Sequence, residues 1–108
     1  GLNLHWIWDG PEAERAISSA NPPLVRRYSA EKKARLATGS VEDWAKESWQ
    51  VSRDFLYPAA FGKLPCDGDE AEHVVWSEEA IQKAVPIVDE RIERAGLRLA
   101  KMLDKALS

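Results

Sequence analysis

The stretch SEEAIQKAVPIVDERIERAGLRLAKMLDKAL, residues 77–107, carries the strongest structural pattern in the sequence. It begins with Ser77, a residue type that caps helix N-termini. Apolar residues then recur at steps of three and four: Ile81, Val85, Val88, Ile92, Ala95, Leu99, Met102 and Ala106. This spacing forms one face of an amphipathic helix and predicts helix over residues 77–107. Pro86 should kink or restart that helix, because proline removes a backbone donor and clashes with the preceding turn.

Two further helices are predicted in the middle of the chain. Ser29 is placed to cap a helix over residues 30–37 that Gly39 closes. Ser40 is placed to cap the next helix, with Asp43 three residues later in a capping-box position. The apolar face of this second helix comprises Val41, Trp44, Ser48, Val51 and Phe55. We expect the stripe of the last helix to pack against that face, because an apolar face is stable only when covered.

The ends of these elements are set by proline and glycine. A short first helix should contain His5 and Asp9 and stop at Gly10, because Pro11 disfavours helix in the residue before it. A second helix is then predicted over residues 12–20. The middle helix should end near Pro58, and residues 61–75 read as a loop. No segment shows a sustained two-residue alternation, so the predicted fold class is all-α.

Composition limits the classes of function. A length of 108 residues fits one domain or part of a larger one. The net charge of −3 gives no general attraction to nucleic acid or anionic membrane, so a polyanionic partner would need a local positive charge such as a bound metal. Cys66 is the only cysteine, which excludes an intramolecular disulfide and a cysteine-based metal cluster. No apolar run of about 18 residues is present, so no membrane span is predicted.

His5 and Asp9 are the candidates for metal chemistry. Residues four apart share one face of a helix, so the two side chains can reach a common point. An imidazole and a carboxylate are both zinc ligands, but zinc takes four ligands, or three plus water. The spacing alone is weak evidence, since most such pairs are hydrogen-bonded or unrelated surface residues. The other available donors are His73, Asp67, Asp69, Glu70 and Glu72.

The complete string around this pair is more specific than its spacing. Residues 3–9 read Asn-Leu-His-x-x-Trp-Asp, which resembles the last zinc-binding motif of the single-strand-specific zinc nucleases, the mung bean or S-one/P-one nuclease family. Residues 43–48 resemble the Trp-Ala-x-Glu-Ser segment of that family, and Tyr57 follows as its tyrosine. Pro86 and the Ala-Gly-Leu-Arg-Leu-Ala string at residues 95–100 resemble its closing helix. Order and spacing agree across nearly the whole chain.

The resemblance implies a helical bundle like the C-terminal part of the phospholipase C/nuclease-like fold. Residues 1–108 would form a single helical region of a larger zinc nuclease domain. Family members bind three zinc ions, mostly through His and Asp residues upstream of the Asn-Leu-His motif. Only His5 and Asp9 carry over, as ligands of one zinc, and Asn3 is placed near the substrate by its proximity to the motif. The missing N-terminal part of the parent would supply the rest, so we expect this portion alone to be inactive.

The family's activity sets the functional expectation. Its members hydrolyse phosphodiesters of single-stranded DNA and RNA and remove 3′-phosphates from nucleotides. The resemblance therefore implies a secreted or periplasmic, zinc-dependent endonuclease and 3′-nucleotidase whose partners are single-stranded nucleic acid and nucleotides. Two alternatives stay open at this point: a zinc phospholipase C-like phosphoesterase on the same fold, and a helical interaction module without catalysis. The sequence does not assign roles to Cys66 or His73.

Overall fold

The described part of the chain forms six α-helices. A computed structural model describes residues 4–20, 28–61 and 76–108. Its helices are α1 (Leu4–Ile7), α2 (Ala13–Ser19), α3 (Ala30–Leu36), α4 (Val41–Val51), α5 (Tyr57–Phe61) and α6 (Glu78–Leu107). Since the described residues contain no strand, the all-α prediction is confirmed. The loop predicted after residue 61 lies outside the described residues.

The first helical segment passes through Gly10 and Pro11, where the sequence predicted a break. A π-helical turn, Trp8–Glu12, joins α1 to α2 without interruption. A π turn is wider than an α turn and commonly relieves the missing donor and the ring clash of a proline. The prediction that the helix stops at Gly10 is therefore wrong.

The middle helix is extended in the same way. α4 is followed by a second π turn, Ser52–Leu56, and then by α5, which contains Pro58. The helix therefore continues past the end predicted near Pro58. One π turn contains Pro11 and the other ends two residues before Pro58, and at neither place does the proline end the helix.

The predicted helix caps are confirmed. The Ser29 side chain accepts a hydrogen bond from the first turn of α3, as an N-cap residue should. Gly39 lies between α3 and α4 and has a φ of +102°, a conformation that glycine adopts without steric cost. The Ser40 hydroxyl accepts from the Asp43 N–H at 3.2 Å, and the Asp43 carboxylate accepts from the Ser40 N–H at 2.9 Å. This is the reciprocal capping box that the sequence predicts.

The long last helix forms over the predicted range. α6 runs through Pro86 as a single helix, so the alternative in which Pro86 restarts the helix is wrong. Ser77 accepts from the N–H of Ala80 at 3.1 Å and caps the N-terminus. Although α6 is long, no helix in the described part of the chain is apolar enough to cross a membrane.

A small aromatic core joins the first helical segment to the start of α6. Its buried residues are Ile7, Trp76 and Ala84. The Trp76 ring lies edge-to-face with the rings of Trp8 and Phe55, at centroid distances of 6.5 Å and 6.2 Å. Edge-to-face pairs of this kind add to the free energy gained by burial. The core therefore fixes the π turn that carries Asp9 against α6.

The C-terminal half of the apolar stripe on α6 is not buried. Ala84 and Val88 are buried, but Leu99 is 59% exposed and Met102 is 50% exposed. All residues of α4 are exposed or half-buried. The prediction that the whole stripe packs against Trp44 and Val51 is wrong for this half of α6. The physical reason is a set of long arginine side chains between the two helices, described below.

Candidate metal-binding motif

The His5 and Asp9 side chains approach each other at the surface. His5 lies in α1 and Asp9 lies in the π turn Trp8–Glu12. The distance from His5 Nε2 to Asp9 Oδ2 is 3.9 Å, and the two side chains are 90% and 78% exposed. The prediction that the pair can approach a common ion from one face is confirmed in its geometry, and metal binding stays a prediction.

Packing on the opposite side of this segment explains the exposure of the pair. Ile7 is buried in the aromatic core, and Trp8 packs edge-to-face on Trp76. These apolar side chains pack one side of α1 and of the following π turn against the start of α6. Because successive residues of a helix project in different directions, the neighbouring His5 and Asp9 then lie on the solvent side.

The donor atoms suit two ligands of a zinc ion. Two ligands of a tetrahedral zinc, each roughly 2.0–2.2 Å from the metal, lie about 3.4 Å apart. The observed 3.9 Å separation is slightly wider, and exposed side chains can rotate by this amount at little energetic cost. Within the described ranges, no group of three His, Cys, Asp or Glu residues is placed to hold a metal. Among the described residues, His5 and Asp9 could therefore supply two ligands of a zinc ion and no more.

Without a metal, the pair contributes little to the free energy of folding. Both side chains are almost fully solvated, and solvent-exposed ion pairs are worth about 0–1 kcal/mol. A stabilising role is thus a poor explanation for placing an imidazole and a carboxylate together at this exposed position.

The other candidate residues from the sequence belong to the ranges 1–3 and 62–75. Asn3, His73, Cys66 and the acidic residues Asp67, Asp69, Glu70 and Glu72 lie outside the described residues. The assignment of Asn3 to the substrate stays a prediction.

Glu12, which closes the π turn, is a buried carboxyl that the sequence did not single out. It is 3% exposed, and its Oε2 atom has no hydrogen-bond partner among the described residues. Burial raises the pKa of Glu12 above its ordinary value, although the nearby positive charge of Arg15 opposes this. Glu12 is the first residue of the helix predicted over residues 12–20, a position where a carboxyl is normally exposed to solvent, so the sequence did not indicate its burial.

A second ionic cluster joins α4 to α6 at Glu47. The Glu47 carboxylate accepts hydrogen bonds from Arg98 at 2.9 and 3.0 Å, from Arg94 at 3.1 Å and from Arg91. Burial raises the pKa of Glu47, but these hydrogen bonds and positive charges outweigh it and lower the pKa to about 2. Glu47 is therefore an ionised carboxylate at every pH in the physiological range.

The cluster also reaches the end of α3. Arg98 Nε donates to the backbone carbonyl of Leu36 at 3.2 Å, and its guanidinium lies 5.2 Å from the Trp44 ring centroid. Lys101 Nζ donates to the Ala37 carbonyl at 3.0 Å. These contacts fill the space between the helices with long polar side chains. The sequence pattern that could have indicated the cluster is the arginine spacing of three and four along α6, at residues 91, 94 and 98.

Two segments that are far apart in the sequence, residues 43–48 and 95–100, are therefore in contact in the structure. Glu47 belongs to the string at residues 43–48, and Arg98 belongs to the string at residues 95–100. Their direct contact gives both strings a shared structural role, far from the His5–Asp9 pair in sequence.

Comparison with known proteins assigns a relationship to the whole chain. The family model described as S1/P1 Nuclease matches residues 1–108. The protein named Nuclease S1 from Aspergillus oryzae (strain ATCC 42149 / RIB 40) is 28% identical over 116 aligned residues, which cover 94% of this chain and 40% of that relative. The chain therefore spans about two fifths of the length of this curated relative. No solved structure matches the chain significantly.

Proposed function

Because the chain belongs to the S1/P1 nuclease family, we propose that it is the C-terminal, metal-binding part of a zinc-dependent nuclease. Membership of this family supports a nuclease-like hydrolase function. The finer proposal is an endonuclease and 3′-nucleotidase that hydrolyses phosphodiesters of single-stranded DNA and RNA. Secretion, or a periplasmic location, is proposed on the same family resemblance.

The observation that carries the proposal is the approach of His5 Nε2 and Asp9 Oδ2 to 3.9 Å. The two residues belong to the Asn-Leu-His-x-x-Trp-Asp string, and residues 1–108 of the chain match the family model. Both side chains are exposed, so ligands from another part of the protein can reach the same ion. An exposed pair that does little for folding is well suited to a site completed by other residues.

His5 and Asp9 would each hold the zinc through one donor atom. A metal centre of this kind supplies hydroxide near neutral pH and stabilises negative charge on the oxygens of a phosphodiester. Trp8 would keep the π turn, and with it Asp9, in a fixed position against Trp76. The metal would also provide a local positive charge for a polyanion, which these 108 residues, with a net charge of −3, do not provide in general.

The test is a comparison of variants in the full-length parent. His5→Ala and Asp9→Ala should each lower the zinc content, measured by mass spectrometry, and reduce cleavage of single-stranded DNA by at least roughly 100-fold. Asp104→Ala is the matched control, because it removes another exposed carboxylate at the far end of α6, and it should change neither quantity.

Two results would contradict the proposal. The first is full zinc content and full cleavage by the His5→Ala parent. The second is a wild-type parent that hydrolyses phosphatidylcholine vesicles and leaves single-stranded DNA intact, which would favour the phospholipase C-like alternative.

A further inference from the structure

We infer that Glu12 is a positioning residue for the metal motif, and that it makes the packing of the π turn Trp8–Glu12 against α6 dependent on pH. A neutral Glu12 carboxyl keeps the turn packed, and ionisation of this carboxyl favours separation of the turn from α6. The consequence for metal binding rests on the proposed function, because it takes Asp9, in the same turn, as a zinc ligand. The pH-dependent packing itself rests on contacts within the described residues.

Glu12 lies where the metal motif meets α6. It is the last residue of the π turn and directly precedes α2, and both the turn and α2 pack against α6. Ala16, one helical turn further along the chain, and Ala84 on α6 are completely buried. Glu12 itself is 3% exposed. Separation of the turn from α6 would therefore expose the Glu12 carboxyl to water.

The buried Glu12 carboxyl lacks the contacts that would stabilise a negative charge. Its Oε2 atom has no hydrogen-bond partner among the described residues. The guanidinium of Arg15 donates to Glu78 Oε1 at 2.9 Å, and this hydrogen bond lowers the pKa of Glu78. Glu78 is thus an ionised carboxylate at neutral pH. A buried charge without hydrogen bonds is unfavourable, so the packed state favours a neutral Glu12.

Two charged groups act on Glu12 within the described part of the chain, Arg15 from α2 and Glu78 from α6. Burial has the largest effect and raises the pKa of Glu12, the positive charge of Arg15 lowers it, and the negative charge of Glu78 raises it. The net result is a pKa above the ordinary value of 4.5. Once the turn separates from α6, the exposed carboxyl regains its ordinary pKa.

Ionisation of Glu12 is therefore coupled to opening of the turn. The stabilisation from a group with a raised pKa is complete below its ordinary pKa and is lost as the pH rises through the pKa of the packed state. Opening should become more frequent over this window, by at most about tenfold per pH unit for the release of one proton. The sign is opposite to that of Glu47, whose pKa is lowered.

The position of Asp9 depends on the same packing. Asp9 and Glu12 belong to one five-residue π turn, so separation of Glu12 from α6 changes the position of Asp9. Trp76, which packs on Trp8 of this turn, has a buried Nε1 atom that also lacks a hydrogen-bond partner among the described residues. Buried polar groups without partners are costly, so this junction is a site at which local opening is favoured.

Hydrogen exchange in the full-length parent tests the inference. Mass spectrometry of peptides covering residues 6–14 gives the protection of the turn, expressed as the exchange rate relative to an unstructured peptide at the same pH. Wild type is compared with Glu12→Gln, which has nearly the same shape but cannot ionise. Glu14→Gln is the matched control, because it removes an exposed carboxyl two residues away. Comparing variants at each pH cancels the titration of all other groups.

We expect the ratio of protection in wild type to protection in Glu12→Gln to fall by at least about threefold between about pH 4.5 and about pH 7. The ratio for Glu14→Gln should stay constant. A ratio for Glu12→Gln that is the same at every pH would show a structural role without titration and would overturn the inference. Glu12→Met, an apolar side chain of similar length, repeats the comparison if Glu12→Gln does not fold.

The exchange result is independent of cleavage. A parent that cleaves single-stranded DNA while the ratio for Glu12→Gln stays constant refutes the role of Glu12 alone. A parent without nuclease activity in which this ratio falls with pH refutes the proposed function alone.

Discussion

Replacing Glu47 by glutamine should destabilise the chain in a way that depends on pH. The Glu47 side chain is 30% exposed, whereas the Arg98 side chain that binds both of its carboxylate oxygens is 8% exposed. A fall in pKa from the ordinary 4.5 to about 2 corresponds to roughly 3 kcal/mol in favour of the folded carboxylate. Solvent screening reduces this value for a partly exposed group. We therefore expect Glu47→Gln to lower the free energy of unfolding by about 2 kcal/mol at pH 7.

The direction of the pH effect follows from the depressed pKa. The stabilising contribution of Glu47 is complete above the unfolded-state pKa, near 4.5, and is lost as the pH falls toward about 2. The difference in unfolding free energy between wild type and Glu47→Gln should therefore shrink between pH 5 and pH 2, a window set by that pKa shift. Urea denaturation followed by far-ultraviolet circular dichroism at a series of pH values measures it.

The control is Asp104→Asn, which removes an exposed carboxylate near the C-terminal end of α6 and should change the free energy of unfolding by less than about 0.5 kcal/mol. A Glu47→Gln chain as stable as wild type at pH 7 would refute the proposed strength of the cluster. A difference that persists unchanged at the lowest pH would show that it arises from packing and not from the ionised carboxylate.

Three further outcomes are expected. Leu99→Ala should cost less than about 1 kcal/mol in the 108-residue chain, because Leu99 is 59% exposed there, and urea denaturation measures the loss. Ser40→Ala should cost about 1 kcal/mol by loss of the capping box, seen as a lower urea midpoint, and Ser40→Gly should cost less. The 108-residue chain should not cleave single-stranded DNA with added zinc, because its described residues supply only two ligands. For the same reason its zinc affinity should be weak and nearly unchanged by His5→Ala, as measured by calorimetry. Robust cleavage that is lost in His5→Ala would contradict this expectation.

The features predicted correctly from the sequence depend on local interactions. The Ser29 and Ser40 caps are set by residues within one helical turn of each other, and the range of α6 follows from an uninterrupted apolar period. The approach of His5 to Asp9 is local as well, since four residues separate them. The zinc ion proposed for this pair is not indicated by the local spacing. It is proposed from the resemblance of the whole motif to a family.

The features that the sequence did not predict depend on contacts between distant segments. Gly10 and Pro11 normally end a helix. Here the burial of Ile7 before them and of Ala16 after them keeps both flanking segments helical, and a π turn accommodates the proline ring. Likewise, the apolar period of α6 shows which residues share a face but not what covers that face. Leu99 was expected to meet α4, whereas Glu47 and its arginines hold α4 at a distance.

The geometry of the motif depends on residues far from it in the sequence. Asp9 is held by the π turn, the turn is held by Trp8 against Trp76, and Trp76 directly precedes the N-cap of α6. α6 in turn is bound through Arg98 to Glu47 and to the end of α3. A change in any of these contacts would therefore move Asp9, which we propose as a metal ligand.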